Sequence, residues 1–108
     1  MVKPLYQPNT DQITLPGVLD ALSDPVRLDI VLQLDADGEA RCSAMGEHGS
    51  KTNLSYHFAR LREAGVTKTR IEGASRLIAL RREDLEAKFP GLLDTVIANA
   101  KGAKSKAA

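Results

Sequence analysis

Lys51, Thr52, Asn53, Ser55 and Tyr56 fall within six consecutive positions. Together they offer an ammonium, two hydroxyls, a carboxamide and a phenol, all hydrogen-bonding groups and none an activated nucleophile. The chain has two histidines and one cysteine, and no Gly-rich phosphate loop, HExxH or GxSxG. No catalytic constellation can be named from these residues, so the chain is not expected to be an enzyme. Short polar side chains at the start of a helix, with cations close by, suit recognition of base edges and phosphates in a DNA major groove.

Positioning those groups requires a helix. Ser50 is a good N-cap, and Leu54, Phe58 and Leu61 recur at helical spacing to make one apolar stripe. Gly65 stands where a left-handed residue closes a helix. Thr52 and Tyr56 then face away from the stripe, with Asn53 and Ser55 on its shoulders. An ordinary amphipathic surface helix would show the same stripe, and the neighbouring sequence decides between the two.

The formal net charge of +1 conceals a segregation. Residues 1–48 carry three basic and eight acidic side chains, a balance of −5, whereas residues 49–82 carry eight basic and two acidic, a balance of +6. Positive charge is concentrated on the helix that begins at Lys51 and on the segment after it, the footprint expected of phosphate binding. A protein-binding module would not need that concentration, but a winged helix presenting its helix to a protein partner is the alternative from another class.

The 108 residues are enough for one domain. Residues 1–12, with Pro4 and Pro8, read as an extended or mobile arm. Leu15, Val18, Leu19 and Leu22 predict a short helix with one sticky face. Asp24-Pro25 predicts the start of a central helix, apolar round most of its circumference, that must be covered on more than one side. Residues 39–42 predict a very short strand, and residues 43–48 leave room for little more than a turn of supporting helix. Runs 67–71 and 76–80 around a Gly-containing turn predict a hairpin, with Lys68, Arg70 and Arg76 making it basic. Acids at 83 and 84 open a further helix that Pro90 breaks, and Leu92, Leu93, Val96 and Ile97 form the stripe of a last one. Residues 101–108 read as a disordered basic tail. The expected fold is mostly α with a β-hairpin wing, a winged helix-turn-helix over residues 13–100.

LDALSDPVRLDIVLQL (19–34), SKTNLSYHFARLREAGV (50–66) and EGASRLIAL (72–80) together resemble the ArsR family of bacterial winged helix-turn-helix repressors. The resemblance covers roughly residues 15–82. It implies a homodimer joined through the first and last helices, bound to a pseudo-palindromic operator in double-stranded DNA and released by an inducer that the sequence does not identify. It further implies that Lys51, Thr52, Ser55 and Tyr56 approach the major groove, and that the wing near Arg70 and Arg76 approaches the minor groove or backbone. Arg60, flanking the helix, is a further phosphate candidate.

The chain departs from the metal-sensing members. Its supporting segment, CSAMGEHG, has one thiol, and its last helix has neither His nor Cys, too few ligands for a metal. No metal and no cofactor are therefore expected. Cys42 reads as a small packing residue or as a possible redox sensor, the latter requiring access and nearby positive charge. The single cysteine fits a reducing cytoplasm. No apolar run spans a membrane, and the N-terminus has no secretory h-region.

Overall fold

Side-chain caps fix where the first three α-helices begin. The computed structural model describes residues 5–107, with side chains through residue 103. Thr14 accepts the Gly17 amide at 3.1 Å and starts α1, Leu15–Ala21. Asp24 accepts the amides of Val26 and Arg27 at 2.8 and 3.1 Å and starts α2, Pro25–Asp37, with Pro25 at the first helical position. Strand β1 (Glu39–Arg41) follows, and then the supporting helix, a seven-residue 3₁₀ helix over Cys42–His48. Ser50 accepts the Asn53 amide at 3.2 Å and starts α3, Lys51–Glu63.

Helix α3 stops in a Schellman turn, with Val66 bonded back to Leu61 and Gly65 to Arg62. Gly65 takes φ +85°, and a Cβ there would lie 2.5 Å from the Ile13 side chain. Glycine is required both for the backbone and for the space.

The hairpin is β2 (Thr67–Glu72) and β3 (Ser75–Leu80), joined by Gly73-Ala74 with Gly73 at φ +59°. Strand β1 adds to the other side of β3, so the wing is rooted in a three-stranded antiparallel sheet of order β1-β3-β2. The register sets Arg41 and Arg70 on either side of Leu77, and Glu39 and Lys68 on either side of Ala79. The opposite face carries Ile78 and Leu80 into the core. Helix α4 (Arg82–Lys88) and helix α5 (Leu92–Ala107) complete the chain.

The core is centred on α2, whose Ile30, Val31 and Leu34 are almost fully buried. Met45, Leu54, Leu61, Val66, Ile78 and Leu85 surround them, and α5 contributes Leu93 and Ile97. Helix α5 thus folds back on its own core through one face. Along the flank of that face Val96, Asn99 and Ala100 form an apolar groove of about 430 Å³ with Leu19, Leu22 and Leu28. No helix among the described residues is long and apolar enough to cross a membrane.

Both chain ends make contacts or structure beyond the local sequence pattern. Residues 5–12 are tied down rather than free. Gln7 exchanges two hydrogen bonds with the Thr69 backbone at 2.9 Å, Pro8 is buried, and Thr10 donates to Asp84 at 2.9 Å. Residues 1–4 lie outside the described part. At the other end helix α5 runs on through Ala107. Lys101 anchors the start of that extension to Asp35 at 2.9 Å.

Candidate nucleic-acid interface

Helix α3 turns its apolar stripe inward, with Leu54 and Leu61 buried and Phe58 half-buried, and leaves the polar start of the helix in solvent. Lys51, Thr52, Asn53, Ser55 and Tyr56 are all exposed, Tyr56 by 55%. They share the end of the helix where unpaired amides and the dipole favour an anion. Beside them runs a cleft of about 770 Å³ between the supporting helix, α3 and the wing. Its apolar lining includes Leu54, Phe58 and Ile78, and Lys51, Arg62 and Arg76 line it too; among the described residues no carboxylate does. Arg76 reaches the cleft because it alternates onto the core face of β3 beyond Ile78, where the hairpin overhangs the helix.

The sequence-predicted cations do not share one fate. Arg60 is engaged within the domain, its guanidinium meeting the Asp20 carboxylate of α1 at 2.7 Å. Arg70 is likewise engaged, gripped by Glu39 at 2.9 Å and by Glu72 at 2.6 Å. These bonds push the Arg70 pKa up and hold Glu39 below the usual carboxylate range. Two carboxylates around one guanidinium leave it little net charge to offer a phosphate. Lys51 and Arg76, by contrast, make no ion pair among the described residues.

Two cations gain weight from the structure. Arg62 lines the cleft while its Nε donates to the Tyr6 carbonyl at 3.1 Å. Arg41 is exposed at the end of β1 and donates to Ser75 at 2.6 Å, which brings it to the same side of the wing turn. Neither has a carboxylate partner among the described residues. Local sequence gives no signal for Arg41, because its strand is only three residues long and its position depends on pairing with β3.

Cys42 is half-buried at the edge of the cleft. Burial pushes its thiol up; Arg76 and Arg62 pull the other way without outweighing it. A reactive sensor needs a depressed thiol pKa, so this environment favours the packing role over the redox one. His48 meets Gln33 at 2.6 Å, and among the described residues no group of three or more His, Cys, Asp or Glu is gathered as a metal site needs.

A capped recognition-type helix, a short supporting helix before it and a sheet-rooted basic hairpin after it define a winged helix-turn-helix. A family described as a helix-turn-helix domain matches residues 22–70. Over 82 residues, 73% of this chain and 82% of the relative, the chain is 40% identical to the uncharacterized HTH-type transcriptional regulator YceK of Bacillus subtilis (strain 168). Among solved structures it is similar to an ArsR family transcriptional regulator, with TM-score 0.63 and 25% identity, covering 75% of this chain and 90% of that one. It is also similar to the transcriptional repressor BigR from Xylella fastidiosa, with TM-score 0.61 and 28% identity, covering 78% and 83% of the two chains. HlyU from Vibrio cholerae N16961 shares the fold at TM-score 0.62 and 24% identity, over 75% of this chain and 85% of that one. The chain belongs to the ArsR-type family of winged helix-turn-helix transcriptional regulators. It is a DNA-binding regulator of transcription and not an enzyme.

Proposed function

We propose that this regulator is a homodimeric repressor. It acts in the cytoplasm by laying two α3 helices in successive major grooves of a double-stranded operator, about one DNA turn apart. The observation that carries this reading is where unneutralised cations gather. Arg60, Arg70, Arg81, Arg82 and Lys101 are spent on carboxylates, whereas Lys51, Arg62 and Arg76 line the cleft beside α3 and Arg41 reaches the wing turn, none of the four with a carboxylate partner among the described residues. Among them stand Thr52, Asn53, Ser55 and Tyr56, exposed and able to donate and accept. In this reading the cations hold phosphates and the neutral polar groups read bases.

Dimerisation is supported by the groove between α1, α2 and α5, which among the described residues has no charged side chain in its lining. Next to it Leu15 and Leu19 are 42% and 47% exposed, a concentration of apolar surface that a second subunit would cover. The domain at 13–100 would then carry both DNA binding and dimerisation. Release by a small inducer that changes the angle between subunits fits better than thiol oxidation, given the burial of Cys42.

The test is fluorescence anisotropy on the protein's own upstream DNA and on a scrambled duplex at two salt concentrations, with sedimentation for the mass. Preference for the upstream duplex, steep salt dependence and a dimer mass are expected. Absence of binding to either duplex at low salt would leave the protein-partner module as the better account.

A further inference from the structure

Arg27 is only 7% exposed, and it makes no ion pair with a carboxylate among the described residues. A buried guanidinium must still be saturated with acceptors. From α2, Arg27 Nε donates to the Ala21 carbonyl at 2.5 Å and Nη2 donates to the Asp20 carbonyl at 3.3 Å. These are last-turn carbonyls of α1, where unsatisfied oxygens and the helix dipole both welcome a cation. The third arm leaves that helix: Nη1 donates to Nδ1 of His57, on the recognition helix, at 3.2 Å. A second tie runs parallel, from Arg60 of α3 to the Asp20 carboxylate at 2.7 Å. The end of α1 is thus stitched to the middle of α3 through two side-chain bridges.

We infer that Arg27 is a positioning residue that sets the recognition helix against α1, and that it holds α3 in the DNA-binding pose only while His57 is neutral. The inference rests on the DNA-binding, dimeric reading above, in which α1 contacts the second subunit. The angle between α1 and α3 then fixes how the two recognition helices are spaced on DNA.

Arginine has no acceptor, so the bond to His57 exists only when Nδ1 carries a lone pair and the ring proton sits on Nε2. Protonating His57 puts a hydrogen where the acceptor was and a second positive charge against a buried first one. Among the described residues, Asp24 at the cap of α2 interacts with the ring and Tyr56 meets it edge-on at 5.4 Å, while Asp20, whose carbonyl holds Arg27, is paired with Arg60. Asp24 lies close enough to feel both cations. Its charge offsets part of the repulsion but cannot restore the lost acceptor.

The sign separates this device from general electrostatics. An added positive charge on a DNA-binding face strengthens attraction to phosphate, so without the device acid tightens binding. With it, affinity for the upstream duplex falls on the order of tenfold between about pH 8 and about pH 5.5. His57→Asn, whose Oδ1 can replace Nδ1 as a non-titrating acceptor, is expected to bind like wild type at the higher pH and to lose the acid weakening. His57→Phe is expected to bind weakly at both. Circular dichroism at each pH checks that the fold persists. Tautomer assignment by ¹⁵N NMR on the free protein needs no DNA and should find Nδ1 unprotonated at about pH 8. A protonated Nδ1 there, tighter binding in acid, or an unchanged acid response in His57→Asn would each overturn the inference. Failure of wild type to bind DNA at the higher pH would instead overturn the reading on which it rests.

Discussion

Arg70 grips Glu39 across the sheet, its Nε and Nη2 donating to the two carboxylate oxygens at 3.0 and 2.9 Å, while Nη1 donates to Glu72 at 2.6 Å. The strand order places β3 between them, so the bond spans the full width of the wing. Arg76, across the turn of the hairpin, has no such partner among the described residues and faces the cleft beside α3. Two arginines that look equivalent in sequence are therefore different instruments.

That difference predicts a split in salt dependence. Arg76→Ala should weaken binding to all duplexes alike and reduce the slope of log affinity against log salt by about 1. Arg70→Ala should leave the slope close to wild type, because a guanidinium saturated by two carboxylates displaces few counterions. Equal slopes for the two variants would mean that Arg70 leaves Glu39 when DNA arrives.

Thr52→Ala and Tyr56→Ala should act on sequence preference. Both side chains are exposed on the same face of the first two turns of α3. Each is expected to cost about 1–3 kcal/mol on the preferred duplex and much less on a scrambled one. Competition titrations with the two duplexes measure the ratio directly, and a uniform loss on both would assign these residues to the backbone instead.

Legibility in the sequence tracks the range of each interaction. Asp24 capping α2, Ser50 capping α3, Gly65 closing it and Gly73 in the wing turn all act within a few residues, and local chemistry suffices to read them. Asp20, which holds Arg60, and Glu39, one of the two carboxylates on Arg70, lie 40 and 31 residues away, and the Gln7–Thr69 clamp closes over 62. Residue type and local spacing carry no record of those meetings. Arg27 is intermediate. A lone cation in a helix that must be covered on several sides signals a buried polar network, but only the fold shows that His57 completes it. The polar start of α3 was readable as a surface, and which cations serve it was not.

Cys42 should be a slow thiol. Burial raises its pKa against the pull of Arg76 and Arg62, so the thiolate fraction at neutral pH is below that of free cysteine. Modification by a disulfide reagent is expected to lag behind glutathione and to accelerate only as pH rises above the ordinary thiol range. Cys42→Ser should retain DNA binding. Rapid modification accompanied by DNA release would reinstate the thiol as a sensor.

Gly65→Ala tests the closing turn of α3. The left-handed backbone costs an L-residue about 1–2 kcal/mol, and the new methyl would press on Ile13, itself 2% exposed. Overpacking adds about 1–3 kcal/mol. Gly73→Ala is the control, since its φ is also positive but nothing lies within 4 Å of the added carbon. Urea denaturation should show the larger loss for Gly65→Ala, and equal losses would mean that Ile13 moves aside freely.

Leu19→Arg addresses the second subunit. Leu19 is 47% exposed in the single chain yet lines the apolar groove with Leu22, Leu28 and Val96. A charge at such a position costs an isolated subunit little, because the long side chain can keep its head in water. Facing a second copy, the same charge would be stripped of water without a partner, and each subunit would bring one. Sedimentation should therefore give a dimer mass for wild type and a monomer mass for the variant, with the helical circular dichroism of both alike. The thermal midpoint should rise with protein concentration only in wild type, as mass action requires of a coupled dimer. Operator affinity should fall with dimerisation, since each half-site would then have to be filled independently. A variant that stays dimeric would place the subunit contact elsewhere on the molecule and leave the groove to another occupant.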